Sequence, residues 1–342
     1  MSSALACLLF AASCDDGALP SPVPAPVPVP VPVPAPPPTT SSSSPAPIPS
    51  VPGEWRPLPP LPVPQQENAV VALAGKVYVI GGFGPSSQAT TAVAVFDPRA
   101  GAWSAAAPLP EAIHHVNAAV VGDRIFVVGG LAAGSFGAIG TTLAYDPQTN
   151  VWTRKTSMPA GTERGSSFVG AIGNVIYVAG GLRTASVADV SSYDTTTDTW
   201  SGPLAPLEVA RDHGMSAVVS GKLLAIGGRA PAHFPRVDAY DPEKNAWTPR
   251  APMPTSRAGG MAALVKGLVV VAGGENNAAS ADGMFGETEA YDPSLDRWLG
   301  LPRMRTPRHG TGAAAIDGVV YVPGGGTVPG FGQTAIFEAL YF

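Results

Sequence analysis

Four arginines recur at one position of an internal repeat, sixteen residues before the first glycine of a Gly-Gly pair. They are Arg164, Arg211, Arg257 and Arg308. Guanidinium groups bind carboxylates through paired, charge-assisted hydrogen bonds. Four such groups around one opening would therefore favour a ligand that carries an anionic group.

Histidines and acids accompany these arginines along the chain. Those nearest to an arginine position are Glu67, His114, His115, Glu163, Asp212, His213 and His309, and those in the loops after a Gly-Gly pair are Arg183, Arg229, His233, Arg236 and Glu275. The candidate ligand-binding residues are His115, His213 and Glu275 together with the four arginines. If every arginine proves to be paired within the fold, the longest of these loops, residues 275–286, becomes the main candidate surface.

The sequence indicates neither metal nor cysteine chemistry within the repeats. Both cysteines, Cys7 and Cys14, precede the first repeat, and no histidine falls in a ligand spacing such as H-E-x-x-H. The adjacent His114 and His115 should point to opposite faces of a strand. We therefore expect no metal site and no cofactor, and we assign no catalytic residue.

The segments that carry these residues repeat about every 48 residues. The Gly-Gly pairs begin at Gly81, Gly129, Gly180, Gly227, Gly273 and Gly324. A short apolar run such as KVYVI (76–80) precedes each pair, and a two-residue turn signal precedes each run. An aromatic residue followed by an acid comes next, and in five repeats a tryptophan stands seven residues after the aromatic. This pattern predicts one four-stranded antiparallel blade per repeat.

With its double glycines and its spaced tyrosines and tryptophans, the chain resembles the kelch family over residues 53–342. The resemblance implies an all-β fold, a six-bladed kelch β-propeller with four antiparallel strands per blade. The segment before strand one and the loop between strands two and three then share a face, so the arginines should ring the mouth of the central channel. An arginine at this position of kelch repeats also often ties neighbouring blades together, and the sequence leaves both roles open.

Ring closure is predicted from an unmatched tryptophan. Trp55 precedes the first repeat, whereas the last repeat, with its aromatic assigned to Phe337 and its acid to Glu338, has no tryptophan after it. Residues 53–59 should therefore supply the fourth strand of the last blade by pairing with residues 335–341. Closure of this kind removes unpaired strand edges.

The N-terminal region predicts a tether. Residues 1–14 read as a signal peptide that ends in the lipobox-like Ala11-Ala12-Ser13-Cys14, which makes Cys14 the lipidation site. The alternative is ordinary cleavage and secretion. Residues 15–52 form a Pro/Ser-rich disordered linker, either a polyproline II spacer or a tail without a spacer role. The expected location is the bacterial cell envelope or the secreted fraction.

Composition limits the function. Charged residues make up 13% of the chain and the net charge is −5, which argues against a nucleic-acid partner or an anionic membrane surface. We expect a monomer that contacts a membrane only through a lipid anchor. The favoured function is a non-enzymatic binding module for a protein or glycan ligand. The alternative is a carbohydrate-active enzyme resembling periplasmic kelch proteins that interconvert sialic-acid anomers, since propellers host unrelated activities.

Overall fold

The computed structural model describes residues 48–342, so the predictions for the signal peptide, Cys14 and most of the linker lie outside the described residues. Within residues 48–342 the chain forms six antiparallel sheets, one per repeat, and its helical structure is a short 3-10 turn at Pro85–Ser87. No helix in this range is long and apolar enough to cross a membrane. The six-bladed propeller is confirmed.

The strands follow the repeats in order. Blade one contains β2 (Ala69–Leu73), β3 (Lys76–Ile80), β4 (Val93–Asp97) and β5 (Ala102–Ala105); blade two contains β6 (Ile113–His114), β7 (Ala118–Val121), β8 (Arg124–Ala132), β9 (Ala138–Asp146) and β10 (Val151–Lys155). Blade three contains β11 (Phe168–Ile172), β12 (Val175–Ala179), β13 (Val190–Asp194) and β14 (Thr199–Ser201); blade four contains β15 (Met215–Val219), β16 (Lys222–Ile226), β17 (Val237–Asp241) and β18 (Ala246–Arg250). Blade five contains β19 (Met261–Val265), β20 (Leu268–Ala272), β21 (Thr288–Asp292) and β22 (Arg297–Leu301); blade six contains β23 (Ala314–Ile316), β24 (Val319–Pro323), β25 (Phe337–Tyr341) and β1 (Glu54–Pro57).

The hydrophobic core lies between neighbouring blades. The second strand of a blade is apolar on both faces; in β3, for example, Val77, Val79 and Ile80 are fully buried. Burial on both faces follows because each blade packs against one neighbour on either side, and β-branched residues fit such a pleated surface. The side chains of β3 accordingly divide between two separate clusters, one on each face of blade one.

The Gly-Gly pairs allow the blades to approach each other closely. Gly227 has a φ of 61°, and a Cβ atom built on it would lie 2.7 Å from the carbonyl oxygen of Arg257 in the next blade. The following residue, Gly228, donates its N–H to the same oxygen at 3.1 Å. Only glycine combines this left-handed backbone with so close a contact.

Each tryptophan fastens its blade to the one before it. The indole Nε1 atoms donate at 2.8–2.9 Å to the backbone carbonyls of the segments that leave the preceding blade. The donors and acceptors are Trp55 to Pro302, Trp103 to Pro59, Trp152 to Ala107, Trp200 to Thr156, Trp247 to Ala205 and Trp298 to Ala251. Trp55 thus takes the same role in blade six that the other five take in theirs.

The predicted ring closure is confirmed, with one change in register. Strand β1 pairs with β25, and Trp55 lies opposite Leu340. In blade five the matching pair is Trp298 opposite Tyr291, so Leu340 occupies the aromatic position. The assignment of that position to Phe337 was therefore wrong by three residues.

The start of the propeller also differs from the predicted boundary at residue 53. Residues 48–52 lie along β22 on the outer edge of blade five, where Val51 donates its N–H to Gly300 and Gly300 donates to Pro49, both at 2.8 Å. Ser50 and Gly300 form a parallel bridge. The last residues of the Pro/Ser-rich segment therefore pair with a blade, because the outer edge strand offers free backbone groups.

Candidate functional site

The four repeat arginines do not line the mouth of the channel. Each of their side chains is 0% exposed. Three donate to a carboxylate of their own blade at 2.6–2.9 Å, and all four donate to a carbonyl of strand two at 2.8–3.3 Å. The carboxylate partners are Asp238 for Arg211, Glu289 for Arg257 and Glu338 for Arg308. The prediction of a guanidinium-rich mouth is therefore wrong.

These arginines hold strands within one blade rather than tying two blades together. Asp238, Glu289 and Glu338 are each the second residue of the third strand of their blade. The guanidinium, which comes from the segment before the first strand, therefore bridges the second and third strands. The backbone carbonyls of three arginines, by contrast, each accept the N–H of the second glycine of the preceding blade: Arg211 from Gly181, Arg257 from Gly228 and Arg308 from Gly274. The side chain and the main chain of one residue thus serve different contacts.

Arg164 departs from this pattern. It donates to Ser191 Oγ at 2.8 Å and to the carbonyls of Thr162 and Val178 at 2.6 and 2.8 Å. Burial lowers the pKa of Arg164 to about 10, because a hydroxyl group stands where the other blades provide a carboxylate.

The axis of the propeller is encircled by a closed chain of backbone hydrogen bonds. Its six members, which we call the central ring, lie fourteen residues before the first glycine of each pair and are Glu67, His115, Ser166, His213, Gly259 and Gly310. Each donates its N–H to the carbonyl of the member in the preceding blade, at 2.7–3.1 Å for five of the bonds, and Glu67 completes the circle by donating to Gly310. All six have a φ between 50° and 70°.

The left-handed backbone of the central ring corrects the prediction for His114 and His115. Their rings do not lie on opposite faces of a strand, since the Nδ1 atoms are 2.7 Å apart. Strand β6 ends at His114, and the φ of 50° at His115 turns its side chain back toward its neighbour. Burial, followed by the nearby His213 and His114, holds the pKa of His115 well below its ordinary value.

A cavity of about 390 Å³ opens next to the central ring, on the side where the rings of His115 and His213 lie. Among its lining residues are His115, His213 and Glu275, so the structure brings these three sequence candidates together at the mouth. Ligand binding by them stays a prediction. The cavity also contains Glu67 and Arg229, and Arg229 donates to Glu275 at 2.6 Å. Burial alone would raise the pKa of Glu275, but His309 and Arg229 hold it below its ordinary value.

The remaining loop candidates lie in other local pairs. Arg183 donates to Asp189, and Arg236 donates to Glu208 and to the buried Asp238. His233 is half-buried with its ring against Phe285, at a centroid distance of 5.7 Å.

Three side chains at the mouth have the arrangement of a metal site. Glu67, His115 and His213 each offer one ligand atom, and these atoms lie within 4.8 Å of one another. Ligand spacing within one segment could not indicate this cluster, because the central ring gathers one residue from each of three blades. The available signal was their common offset of fourteen residues from the Gly-Gly pair.

Sequence reasoning also missed an aromatic margin beside the cavity. The apolar rim, as we call it here, consists of four residues in the loops β3–β4, β8–β9 and β24–β25 of blades one, two and six: Phe83, Phe136, Val328 and Phe331. Phe83 is buried and stacks on His114 at a centroid distance of 4.2 Å. Phe136 and Phe331 lie on either side of Phe83 and are 53% and 51% exposed. Single phenylalanines in loops carry no periodic signal, which is why the repeat did not reveal them.

Comparison with solved structures agrees with the architecture. The structure of YjhT superposes with a TM-score of 0.66 at 19% identity, covering 82% of this chain and 95% of that one. At this identity the likeness shows the fold alone.

Sequence comparisons give the family. The model of the KLHDC2/KLHL20/DRC7 Kelch-repeats domain matches residues 53–208, and the Kelch motif matches residues 216–254. Kelch-like protein terF of Aspergillus terreus (strain NIH 2624 / FGSC A1156) is 32% identical over 312 residues, which is 84% of this chain and 68% of terF. Human Kelch-like protein 23 is 26% identical over 226 residues, 53% of this chain, and the match covers 40% of that protein. On these matches, the chain belongs to the kelch-repeat family.

Proposed function

We propose that this propeller is a non-enzymatic binding module that takes a loop of a protein partner across its mouth. The observation that carries the proposal is the apolar rim, where Phe136 and Phe331 are about half exposed and line the cavity together with polar residues such as Arg229. Exposed apolar patches rimmed by polar groups are typical of interaction sites, and aromatic anchors supply much of the energy of protein interfaces. The kelch propeller is also a fold typical of protein-binding modules.

The mouth divides into an apolar side and a polar side. Blades six, one and two contribute the apolar rim, whereas blades four and five contribute Asp212, Arg229 and Glu275. A partner loop would place an apolar side chain between the two exposed phenyl rings. Its polar groups would then meet the carboxylates on the opposite side.

A glycan is the second ligand that this mouth could take, because phenyl rings also stack on sugar rings. The enzymatic alternative, action on a carboxylated sugar, has less support. It depended on arginines that are buried, and Arg229 is already engaged by Glu275.

The proposed setting is the cell envelope or the secreted fraction, with the propeller acting as a monomer. Lipidation of Cys14 would tether it through the Pro/Ser-rich segment, and simple secretion is the alternative. Both rest on the sequence before residue 48.

A photo-crosslinking experiment tests the binding face. p-Benzoylphenylalanine is placed at Val328 in the apolar rim or at Leu295, which is 59% exposed in the turn between β21 and β22 on the opposite face. The expected result is a protein adduct from position 328 only, lost when Phe136→Ser and Phe331→Ser are added.

Three outcomes would contradict the proposal. The first is equal crosslinking from positions 328 and 295, and the second is an adduct that survives loss of both phenyl rings. The third is acceleration of N-acetylneuraminic acid anomer exchange in a proton NMR assay, which would favour the enzyme instead.

A further inference from the structure

His115 and His213 meet at the mouth through their Nε2 atoms, which lie 3.0 Å apart. Both side chains are more than nine-tenths buried. Two unprotonated ring nitrogens directed at each other repel, so a contact this short requires a proton or another cation between them. The partners of the other ring nitrogens decide which of the two nitrogens carries a proton.

The partners of His114 fix the protonation of His115. His114 Nε2 faces the backbone carbonyls of Ser135 at 2.9 Å and Ala132 at 3.1 Å. Carbonyls only accept, so this nitrogen carries the proton of the neutral ring and His114 Nδ1 is an acceptor. His115 Nδ1, 2.7 Å away, must therefore be the donor, which leaves His115 Nε2 unprotonated.

Asp212 fixes the protonation of His213 in the same way. His213 Nδ1 donates to the buried carboxylate of Asp212, so the Nε2 atom of the neutral ring is also unprotonated. A carboxylate that accepts from the far nitrogen of a histidine is the arrangement that orients metal-binding histidines. The hydrogen bonds at the two Nδ1 atoms thus orient both Nε2 lone pairs toward one point.

Glu67 adds an oxygen ligand at the right distance. Its Oε2 atom lies 3.4 Å from His115 Nε2, and all three ligand atoms fall within 4.8 Å of one another. Bonds of about 2.0–2.1 Å in a tetrahedral zinc site place neighbouring ligand atoms about 3.3 Å apart. Two of the three separations, 3.0 Å between the histidines and 3.4 Å between His115 and Glu67, lie on either side of that value.

The charges around the mouth favour a dication. Glu67, Asp212 and Glu275 face Arg229 there, so carboxylates outnumber guanidinium groups. His309 Nδ1 is buried beside two of these carboxylates, 3.7 Å from Glu67 Oε1 and 3.5 Å from Glu275 Oε2.

We propose that Glu67, His115 and His213 bind one Zn²⁺ ion at the mouth of the propeller. Two imidazoles and one carboxylate leave a coordination position open toward the cavity, where water or an oxygen atom of a bound partner completes the shell. The proposal stands on this geometry and does not depend on the identity of the partner.

Zinc titration of the full chain tests it. The protein is treated with EDTA, dialysed and titrated with Zn²⁺ by calorimetry at neutral pH, and metal content is then measured after gel filtration. The wild type should bind one Zn²⁺ per chain, and Co²⁺ in its place should give the visible absorption of a tetrahedral site. His115→Asn and His213→Asn should abolish stoichiometric binding, whereas Asp212→Asn should weaken it about 10- to 100-fold.

His233→Asn is the matched control, since it removes a histidine near the mouth that is not one of the three proposed ligands. The zinc affinity of this variant should equal that of the wild type. Circular dichroism melts of the metal-free proteins report whether each variant folds. If His115→Asn or His213→Asn does not fold, Glu67→Gln provides the same test. Absence of zinc uptake by the wild type would mean that the two histidines share only a proton, and this overturns the proposal. Wild-type zinc affinity in the folded variants of the three proposed ligands would overturn the proposal equally.

Discussion

Arg164 donates a 2.8 Å hydrogen bond to Ser191 Oγ, at the strand position where the next three blades each provide a carboxylate. One buried guanidinium is therefore without a direct anionic partner. Blade three is the place where a single substitution should add a missing interaction.

Ser191→Asp should stabilise the protein by about 1 kcal/mol. A hydrogen bond to a charged group contributes about 1.5–3 kcal/mol, and the cost of burying the new carboxylate offsets part of it. Urea unfolding followed by tryptophan fluorescence measures the change. The reverse substitution in blade four, Asp238→Ser, is the control and should cost about 3–5 kcal/mol, because it breaks a buried ion pair. A destabilising Ser191→Asp, or a neutral Asp238→Ser, would contradict the assigned role of the pair.

Removing β1 should open the ring. A chain that begins at residue 61 lacks the strand that pairs with β25 and lacks the hydrogen bond from Trp55 to Pro302. Its melting temperature should therefore fall steeply. A chain that begins at residue 53 loses the packing of Val51 and the two bonds between residues 48–52 and Gly300, each worth about 1 kcal/mol, so its melting temperature should fall much less. Thermal melts of both are compared with a chain that begins at residue 48. Similar melting temperatures for the chains that begin at 53 and 61 would refute closure by β1.

Stability should decline at alkaline pH. Burial raises the pKa of Tyr240 from 10.0 to about 12, and burial with a bond to an aspartate raises those of Tyr193 and Tyr291 in the same direction. The unfolded chain loses these protons near pH 10 while the folded chain retains them. The unfolded state therefore binds fewer protons above pH 10, and the free energy of unfolding falls as pH rises from 10 to 12.

Tyr240→Phe separates this effect from the hydrogen bond that the hydroxyl makes. The variant loses the 2.7 Å bond to Asn245 at every pH, but its stability should fall less steeply than that of the wild type above pH 10. Urea unfolding at a series of pH values from 8 to about 11.5 provides the comparison. Parallel curves for the two proteins over this range would argue against the raised pKa.

Cys14→Ser should release the protein from the membrane if the lipobox prediction holds. In a bacterial host the wild type should enter the detergent phase of a Triton X-114 partition, and the variant should enter the aqueous phase. Firm anchoring requires two or more acyl chains, so mass spectrometry of the processed N-terminus should find that number. A wild-type protein that already partitions into the aqueous phase would favour simple secretion.

The repeat made the blades and their closure predictable, because equivalent positions share one environment. Trp55 had to complete the last blade, since no other tryptophan was available for it. The burial of a given repeat position was harder to predict. The burial of Arg211 and Arg257 depends on Asp238 and Glu289, acids that lie 27 and 32 residues away in sequence. The recurrence of an arginine and an acid together was the signal that would have distinguished a buried pair from an exposed site.

The mouth could be located from the sequence but its chemistry could not. Periodicity predicted which segments meet at the axis, and the pairing of Asp212 with Arg229 follows from that arrangement. It gave no indication of the left-handed backbone that turns His115 toward His213, because φ depends on the closed circle of bonds between blades. Residues that are remote in sequence become ligand neighbours only after the propeller closes.

The central ring is closed by main-chain atoms alone, and this separates its architecture from the chemistry of the mouth. The six peptide groups of the central ring run head to tail around a circle, so their in-plane dipoles cancel and the electric potential at the mouth is set by side chains. Glycine serves as well as glutamate or histidine at these positions, as Gly259 and Gly310 demonstrate. A kelch propeller of this kind can therefore acquire or lose ligand groups one substitution at a time while its blades stay in register.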